Sequence, residues 1–191
     1  METITLHIKN MVCLRCVSVI KNEVRKAGLK IWLVELGRVQ ITAPDSPLKF
    51  EALNKALKHH GFEILFSKEE QLVEDIKLTL IDYLKLIENG EQRLKTSIYL
   101  AERLNFNYDY LSKLFSNYEN TTIEKYFILL KIERVKELLS YGEFTLGEIA
   151  YRLNYSSSQH LSNQFKQITG ITVSEFKQKP YVHRHSFDKI G

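Results

Sequence analysis

TLGEIAYRLNYSSSQHLSNQFKQITGITVSEFKQK, residues 145–179, is the stretch whose reading decides the fold. Thr145 and Glu148 have the spacing of a capping box, in which each side chain satisfies a backbone N–H of the first helical turn. Behind them Ile149, Ala150 and Leu153 fall on one helical face. Asn154 tolerates the left-handed backbone that a helix stop needs. The serine run 156–158 opens a second helix with Leu161, Phe165 and Ile168 on its apolar side. Gly170 ends that helix, and Thr172 with Glu175 caps a closing one. Two short helices crossing at a tight turn have the geometry that presents the second one to a DNA major groove.

Toward the N-terminus the same unit recurs. LAERLNF, residues 100–106, reappears as IAYRLNY, residues 149–155, at an offset of 49. Leu111, Ser112, Phe115, Asn120, Thr122, Ile123 and Tyr126 then match Leu161, Ser162, Phe165, Gly170, Thr172, Val173 and Phe176 at an offset of 50. The second copy therefore carries one extra turn residue. Core-type and cap-type positions match together, which marks an internal duplication. Residues 121–140 lie between the copies, with Thr121 and Glu124 as the expected cap. Ile123, Phe127 and Leu130 make one stripe, and Ile128, Ile132, Val135 and Leu139 make another. A helix apolar on two sides is buried on two sides, so this one is expected to join the units and set their separation.

Residues 1–67 carry the signals strand, helix, strand, strand, helix, strand. Ile4, Leu6 and Ile8 alternate with Thr5 and His7 as a half-buried strand. Val17, Ile20 and Val24 share a helical face that ends near Gly28. A run rich in branched residues with Trp32 follows, and Gly37-Arg38 reads as a hairpin turn into Val39 and Ile41. Ser46-Pro47 is a cap with proline at the first helical position, and Phe50, Leu53 and Leu57 continue that helix to Gly61. Phe62, Ile64 and Phe66 alternate as a last strand. Two such halves make a split βαβ, ferredoxin-like sandwich. The expected fold class is α+β, a ferredoxin-like βαββαβ domain over 1–67, a connector helix over 68–90 and an all-α tandem helix-turn-helix domain over 91–180.

The N-terminal domain opens on MVCLRC, residues 11–16. IKNMVCLRC resembles the M-x-C-x-x-C loop of heavy-metal-associated domains, as found in copper chaperones and metal-pumping ATPases. The resemblance extends to Gly61-Phe62, where that family has glycine followed by an aromatic. Cys13 falls in the loop and Cys16 in the first helical turn, where free N–H groups and the helix dipole favour the thiolate. Two thiolates on a short loop suit Cu(I) or a related soft ion better than Zn(II), which wants four ligands. The competing reading keeps both cysteines as small, half-buried residues of a metal-free fold. His7, on the face away from the predicted core, is at most an accessory, and His59-His60 carry no assigned role.

Residues 67–88 read as an acidic amphipathic helix. Ser67 with Glu70 is a further capping box, and Leu72, Ile76, Leu80, Tyr83 and Ile87 line one face. Glu70, Glu74, Asp75, Asp82 and Glu88 outnumber Lys77 and Lys85, so this helix will not lie on DNA. It is a connector or, less simply, a dimerisation or signalling helix.

Residues 90–180 resemble the DNA-binding domain of AraC-type transcription regulators. The signature lies over the second unit, in A-x-R-L-N-Y from Ala150 and HLSNQFKQITGITVSEF from His160. Asn154 in place of glycine, Leu161 in place of an aromatic, Val173 in place of proline and Lys177 in place of arginine depart from it without removing a core or capping feature. The resemblance implies that the second helix of each unit reads DNA. In the first unit Leu111, Leu114 and Phe115 face inward and leave Asp109, Ser112, Lys113 and Ser116 outward. In the second, Ser158, Gln159, Ser162, Asn163 and Lys166 are outward. Gln159 and Asn163 have the amide that pairs with adenine, and Lys113 can reach guanine. Lys166 and the serines suit phosphates. Asp109 repels phosphate and either reads cytosine or does nothing.

The net charge of +4 is only mildly basic, so DNA contact must rely on placement rather than bulk charge. The start METITLHIKN lacks the basic and apolar regions of a signal peptide, and no apolar run reaches the roughly 18 residues of a membrane helix. A cytoplasmic protein with reduced cysteines is expected. Its partners are expected to be double-stranded promoter DNA, with RNA polymerase and a second copy of the chain also compatible, and without a membrane. No catalytic constellation is visible, since no histidine stands at a diagnostic spacing from Cys13 or Cys16 and no phosphate loop occurs. Two rivals remain: a metallochaperone-like protein, which leaves the duplicated helices unused, and a regulator whose first domain only contacts other proteins. The tail YVHRHSFDKIG, residues 181–191, is expected to be disordered, with His183, Arg184 and His185 solvated.

Overall fold

The computed structural model describes residues 2–91 and 94–178. The readings of the tail, including His183, Arg184 and His185, lie outside the described residues. The chain divides into two compact units, Met1–Leu78 and Thr79–Gly191.

The first unit follows the order β1 (Thr3–Lys9), α1 (Leu14–Lys26), β2 (Ile31–Glu35), β3 (Arg38–Thr42), α2 (Pro47–His59), β4 (Glu63–Leu65). The sheet order is β2-β3-β1-β4, and every neighbouring pair is antiparallel. Period-two alternation sends Leu6, Ile8, Val39 and Ile41 into a core completed by Ile20 and Val24 of α1 and Leu53 and Leu57 of α2. Ser46 caps α2 by accepting from Lys49 N, and Pro47 occupies the first helical position.

Three details differ from the sequence reading. The hairpin turn is Leu36-Gly37 rather than Gly37-Arg38, because Glu35 pairs with Arg38 and Gly37 supplies the positive φ of 75°. The register of β2 on β3 shifts between Ile31 and Leu33, so Trp32 and Leu33 are both exposed. Phe66 lies beyond β4 and is exposed, tilted against Phe50 at 6.3 Å between ring centroids.

Helix α3 runs Lys68–Glu88. Ser67 Oγ accepts from Glu69 N, and Glu70 returns the bond to Ser67 N. Within the first unit, Glu74 is buried and accepts from Asn10 N at 2.9 Å, while Asp75 pairs with Arg38 at 2.6 Å. Glu74 and Asp75 therefore bind beside the ends of β1 and β3, while Asp82 stays exposed and pairs with Lys85. Among the described residues no helix is long and apolar enough to cross a membrane.

The second unit takes up the last turns of α3 and continues with α4 (Thr96–Leu104), α5 (Tyr108–Glu119), α6 (Ile123–Tyr141), α7 (Leu146–Arg152), α8 (Ser158–Thr169) and α9 (Val173–Gln178). Tyr83 packs on Tyr99 and Phe127 with ring centroids 4.8 and 5.4 Å away, and its hydroxyl donates to Leu94 O. Arg134 holds both Glu88 oxygens at 2.8 and 2.7 Å. Helix α6 is buried around most of its circumference, through Ile123, Tyr126, Phe127, Leu130, Ile132, Val135, Leu138 and Leu139. Ile128, expected in one stripe, is only half-buried. Its cap is Thr122, which accepts from Lys125 N, rather than Thr121. The Glu124 side chain instead accepts from the Tyr108 hydroxyl.

Candidate nucleic-acid interface

Each half of the duplication forms its own small core. In the first, Leu100, Leu111, Phe115 and Ile123 are fully buried, and Phe115 meets Tyr126 edge-on at 5.4 Å. In the second, Ile149, Leu153, Leu161 and Phe165 are fully buried, and Phe165 meets Phe176 edge-on at 5.6 Å. The same pair of rings thus recurs at the same place in the repeat. Backbone stops recur as well. Asn105 and Asn154 take positive φ of 58° and 56° between the two helices of each unit, and Asn120 and Gly170 take 53° and 78° at their ends. These are positions where asparagine or glycine relieves the left-handed strain.

Caps fix where the presented helices begin. Asn107 accepts from Asp109 N at 2.8 Å, and Ser157 accepts from His160 N at 3.1 Å. Helix α7 has the complete capping box, Thr145 with Glu148, and Thr172 with Glu175 repeats it before α9. Bonds from Thr145 and Thr172 hold the Glu148 and Glu175 carboxyls below the ordinary glutamate value.

With the inner faces fixed, the outward ones follow. Asp109 and Lys113 are exposed on α5, and Ser112 and Ser116 are half-buried beside them. On α8, Ser158, Gln159, Asn163 and Lys166 are exposed and Ser162 is half-buried. Gln159 Nε2 donates to Asn163 Oδ1 at 2.9 Å, so the two amides form one polar surface a helical turn apart. Asp109 stands in the first turn of α5, where a carboxylate also favours the helix dipole. Ile168, expected on the apolar side of α8, is 41% exposed.

The sequence reading missed two features. Phe106 and Tyr110 stack at 5.6 Å between centroids and are both exposed at the start of α5. Their repeat partners Tyr155 and His160 also meet, edge-on at 5.4 Å, yet Tyr155 is buried. Lys131 of α6 lies over Tyr155, and burial pushes the Tyr155 phenol up and the Lys131 ammonium down to about 8. The repeat alignment contained the signal, since aromatic-type residues stand at both pairs of positions.

The cysteine pair lies in the first unit. Cys13 is the exposed N-cap of α1, and its Sγ is 3.2 Å from that of the half-buried Cys16. Cys16 Sγ also points at Asn10 O at 3.7 Å. Burial, followed by the hydrogen bond with Cys13, pushes the Cys16 thiol up. Desolvation at Cys16 thus opposes the thiolate that a helix N-terminus favours. Met11 is fully buried in the core and Leu14, between the cysteines, is 81% exposed.

Residues 100–179 match the model of a helix-turn-helix domain family, from the middle of α4 to just past α9. The Msm operon regulatory protein of Streptococcus mutans is 29% identical over 80 residues, 42% of this chain and 29% of its own length. The F1 operon positive regulatory protein of Yersinia pestis is 28% identical over 103 residues, 54% of this chain and 34% of its own. The chain thus spans about a third of these relatives. Among solved structures, the C-terminal domain of the response regulator AraT from Geobacillus stearothermophilus matches 63% of this chain and 92% of its own, with a TM-score of 0.49 at 21% identity.

Proposed function

We propose that the chain is a sequence-specific DNA-binding transcription regulator of the AraC type, reading two successive major grooves with α5 and α8. The observation that carries this is the duplication itself: two helix-turn-helix units with matching cores, stops and caps, joined by the buried helix α6. Grooves on one face of a duplex recur about every 34 Å, so one chain would bind an asymmetric site. Gln159 and Asn163 are assigned to adenine edges, Lys113 to guanine, and Lys166 with Ser112, Ser116, Ser158 and Ser162 to the phosphates. The regulator names of the two relatives support the reading.

The test is selection of a duplex from a random pool, followed by titration of the full chain at several salt concentrations. A preferred sequence with two separated contact blocks, and log affinity falling linearly with log salt, is expected. Failure to enrich any sequence, with no binding at low salt, would refute it.

The first unit is assigned a ferredoxin-like fold, two interleaved βαβ halves, on the strength of its strand order. Cys13 and Cys16 fit a soft ion as its sensor. Two sulfurs 3.2 Å apart, one of them exposed, suit a low-coordinate ion. Among the described residues no group of three or more His, Cys, Asp and Glu could hold a metal, which does not suit four-ligand zinc. A bound Cu(I) would need both thiols deprotonated, so proton release at the raised Cys16 would accompany uptake.

A further inference from the structure

A cavity of about 260 Å³ opens between the two helix-turn-helix units, along the flank of α6. Thr96 from the first helix-turn-helix unit, Phe127 and Lys131 from α6, and Tyr155 and Gln164 from the second helix-turn-helix unit line it. Its polar groups are Thr96, Lys131 and Gln164 together with Asn154, His160 and the Glu124 carboxylate. Lys131 Nζ stands 3.8 Å from the centroid of the Tyr155 ring and has no carboxylate partner among the described residues. Burial is what lowers its pKa, to about 8, so it stays mostly charged at neutral pH. Gln164 Oε1 accepts from the Tyr155 hydroxyl at 2.8 Å, which leaves the amide NH2 without an acceptor among the described residues. The Thr96 hydroxyl has none there either. The Glu124 carboxylate on the same wall accepts from the Tyr108 hydroxyl, which holds it below the ordinary glutamate value and keeps it charged.

Charges withdrawn from water are normally paired. Here an ammonium shielded on one side by an aromatic face stands beside two uncommitted donors and an apolar wall. We propose that this cavity binds a small organic anion of the carboxylate class, its charge on Lys131, its apolar body against Phe127 and Tyr155, and its second oxygen within reach of Gln164. The volume falls just below the usual range of ligand sites and suits only a fragment-sized molecule. A DNA phosphate is the poorer occupant, because the half-buried Lys131 lies on α6 and not on the outward faces of α5 and α8. Since the walls come from both helix-turn-helix units, occupancy ties one head to the other. Only this consequence for DNA reading rests on the proposed function; binding does not.

The probe is benzoate, with uncharged benzamide as its isostere, titrated into the full chain and followed by backbone amide shifts. Saturable benzoate shifts around Phe127, Lys131 and Tyr155 are expected, with a Kd on the order of 1 mM for so small a ligand. Benzamide should bind about tenfold more weakly, Lys131→Met should abolish the benzoate shifts, and Gln164→Leu should weaken them about threefold to tenfold. Lys131→Met should also melt no lower than the parent, since it removes a desolvated charge. The proposal is overturned by no saturable shift at about 10 mM benzoate, by equal benzamide binding, or by full benzoate binding to a folded Lys131→Met. Loss of DNA affinity in Lys131→Met with a salt slope lowered by about one, and no benzoate shifts, would make Lys131 a phosphate contact instead. Benzoate binding without any DNA binding would leave this site standing and remove the proposed regulator function.

Discussion

Asn163→Ala is the perturbation that best separates a DNA-reading face from a merely solvated one. Asn163 is exposed on α8, and its Oδ1 accepts from Gln159 Nε2 in the free protein. A bidentate amide–adenine pair carries about 1–3 kcal/mol of discrimination. Using Asn163 on a base disrupts its exposed bond to Gln159, whose net worth is about 0.5 kcal/mol at the low end of the protein range. The net loss on mutation is therefore about 0.5–2.5 kcal/mol, a weakening of roughly 2- to 70-fold. Folding should not suffer, because alanine is the better helix former by about half a kcal/mol and Asn163 bears on no core residue. The assay is fluorescence anisotropy on the selected duplex and on versions scrambled in one contact block at a time. The mutant should lose affinity only where the α8 block is intact and become indifferent to its bases, with an unchanged melting temperature. Parental affinity and base preference at both blocks would refute the assignment of this face.

Three further outcomes follow from the same geometry. Phe176→Ala removes a fully buried ring that meets Phe165 edge-on, and should cost about 3–5 kcal/mol in urea unfolding of the second helix-turn-helix unit; a loss below about 1 kcal/mol would mean that α9 does not close that core. Glu148 and Glu175 are depressed by their threonine caps, so their stabilisation is present above the ordinary glutamate value of 4.5 and is lost as pH falls through their lower folded values. The acid limb of the stability profile should accordingly flatten in Thr145→Ala/Thr172→Ala, and an unchanged limb would count against the caps. In reducing buffer, native mass spectrometry should find one Cu(I) on the parent and none on Cys13→Ser; no uptake by the parent would end the sensor reading.

Much of the DNA-facing half was legible because its signals are local. Capping boxes, left-handed stops and i, i+3, i+4 spacing depend on neighbours within two turns, and the repeat supplied each of them twice. Thr122 shows the same logic correcting a local error: its repeat partner Thr172 is a cap, and Thr122, not Thr121, caps α6. Where the reading failed, a distant partner decided. Glu74 reads in the sequence only as one more acid on the helix, and the Asn10 N–H that donates to it lies 64 residues away. Trp32 and Leu33 stand in an apolar run, and a register shift against β3 leaves both exposed.

Phe106 and Tyr155 mark the boundary most sharply. The sequence alone determined that they are equivalent, each ending a helix-turn signature and each followed by a ring partner in the next helix. Only the tertiary structure decided that Phe106 stays 45% exposed while Tyr155, at 8%, is covered by Lys131 and bonded to Gln164. Periodicity states which face of a helix avoids water, since that is a property of the helix. What lies across that face depends on where α6 passes, and α6 runs over one member of the repeat with a lysine for which no local pattern supplies a partner.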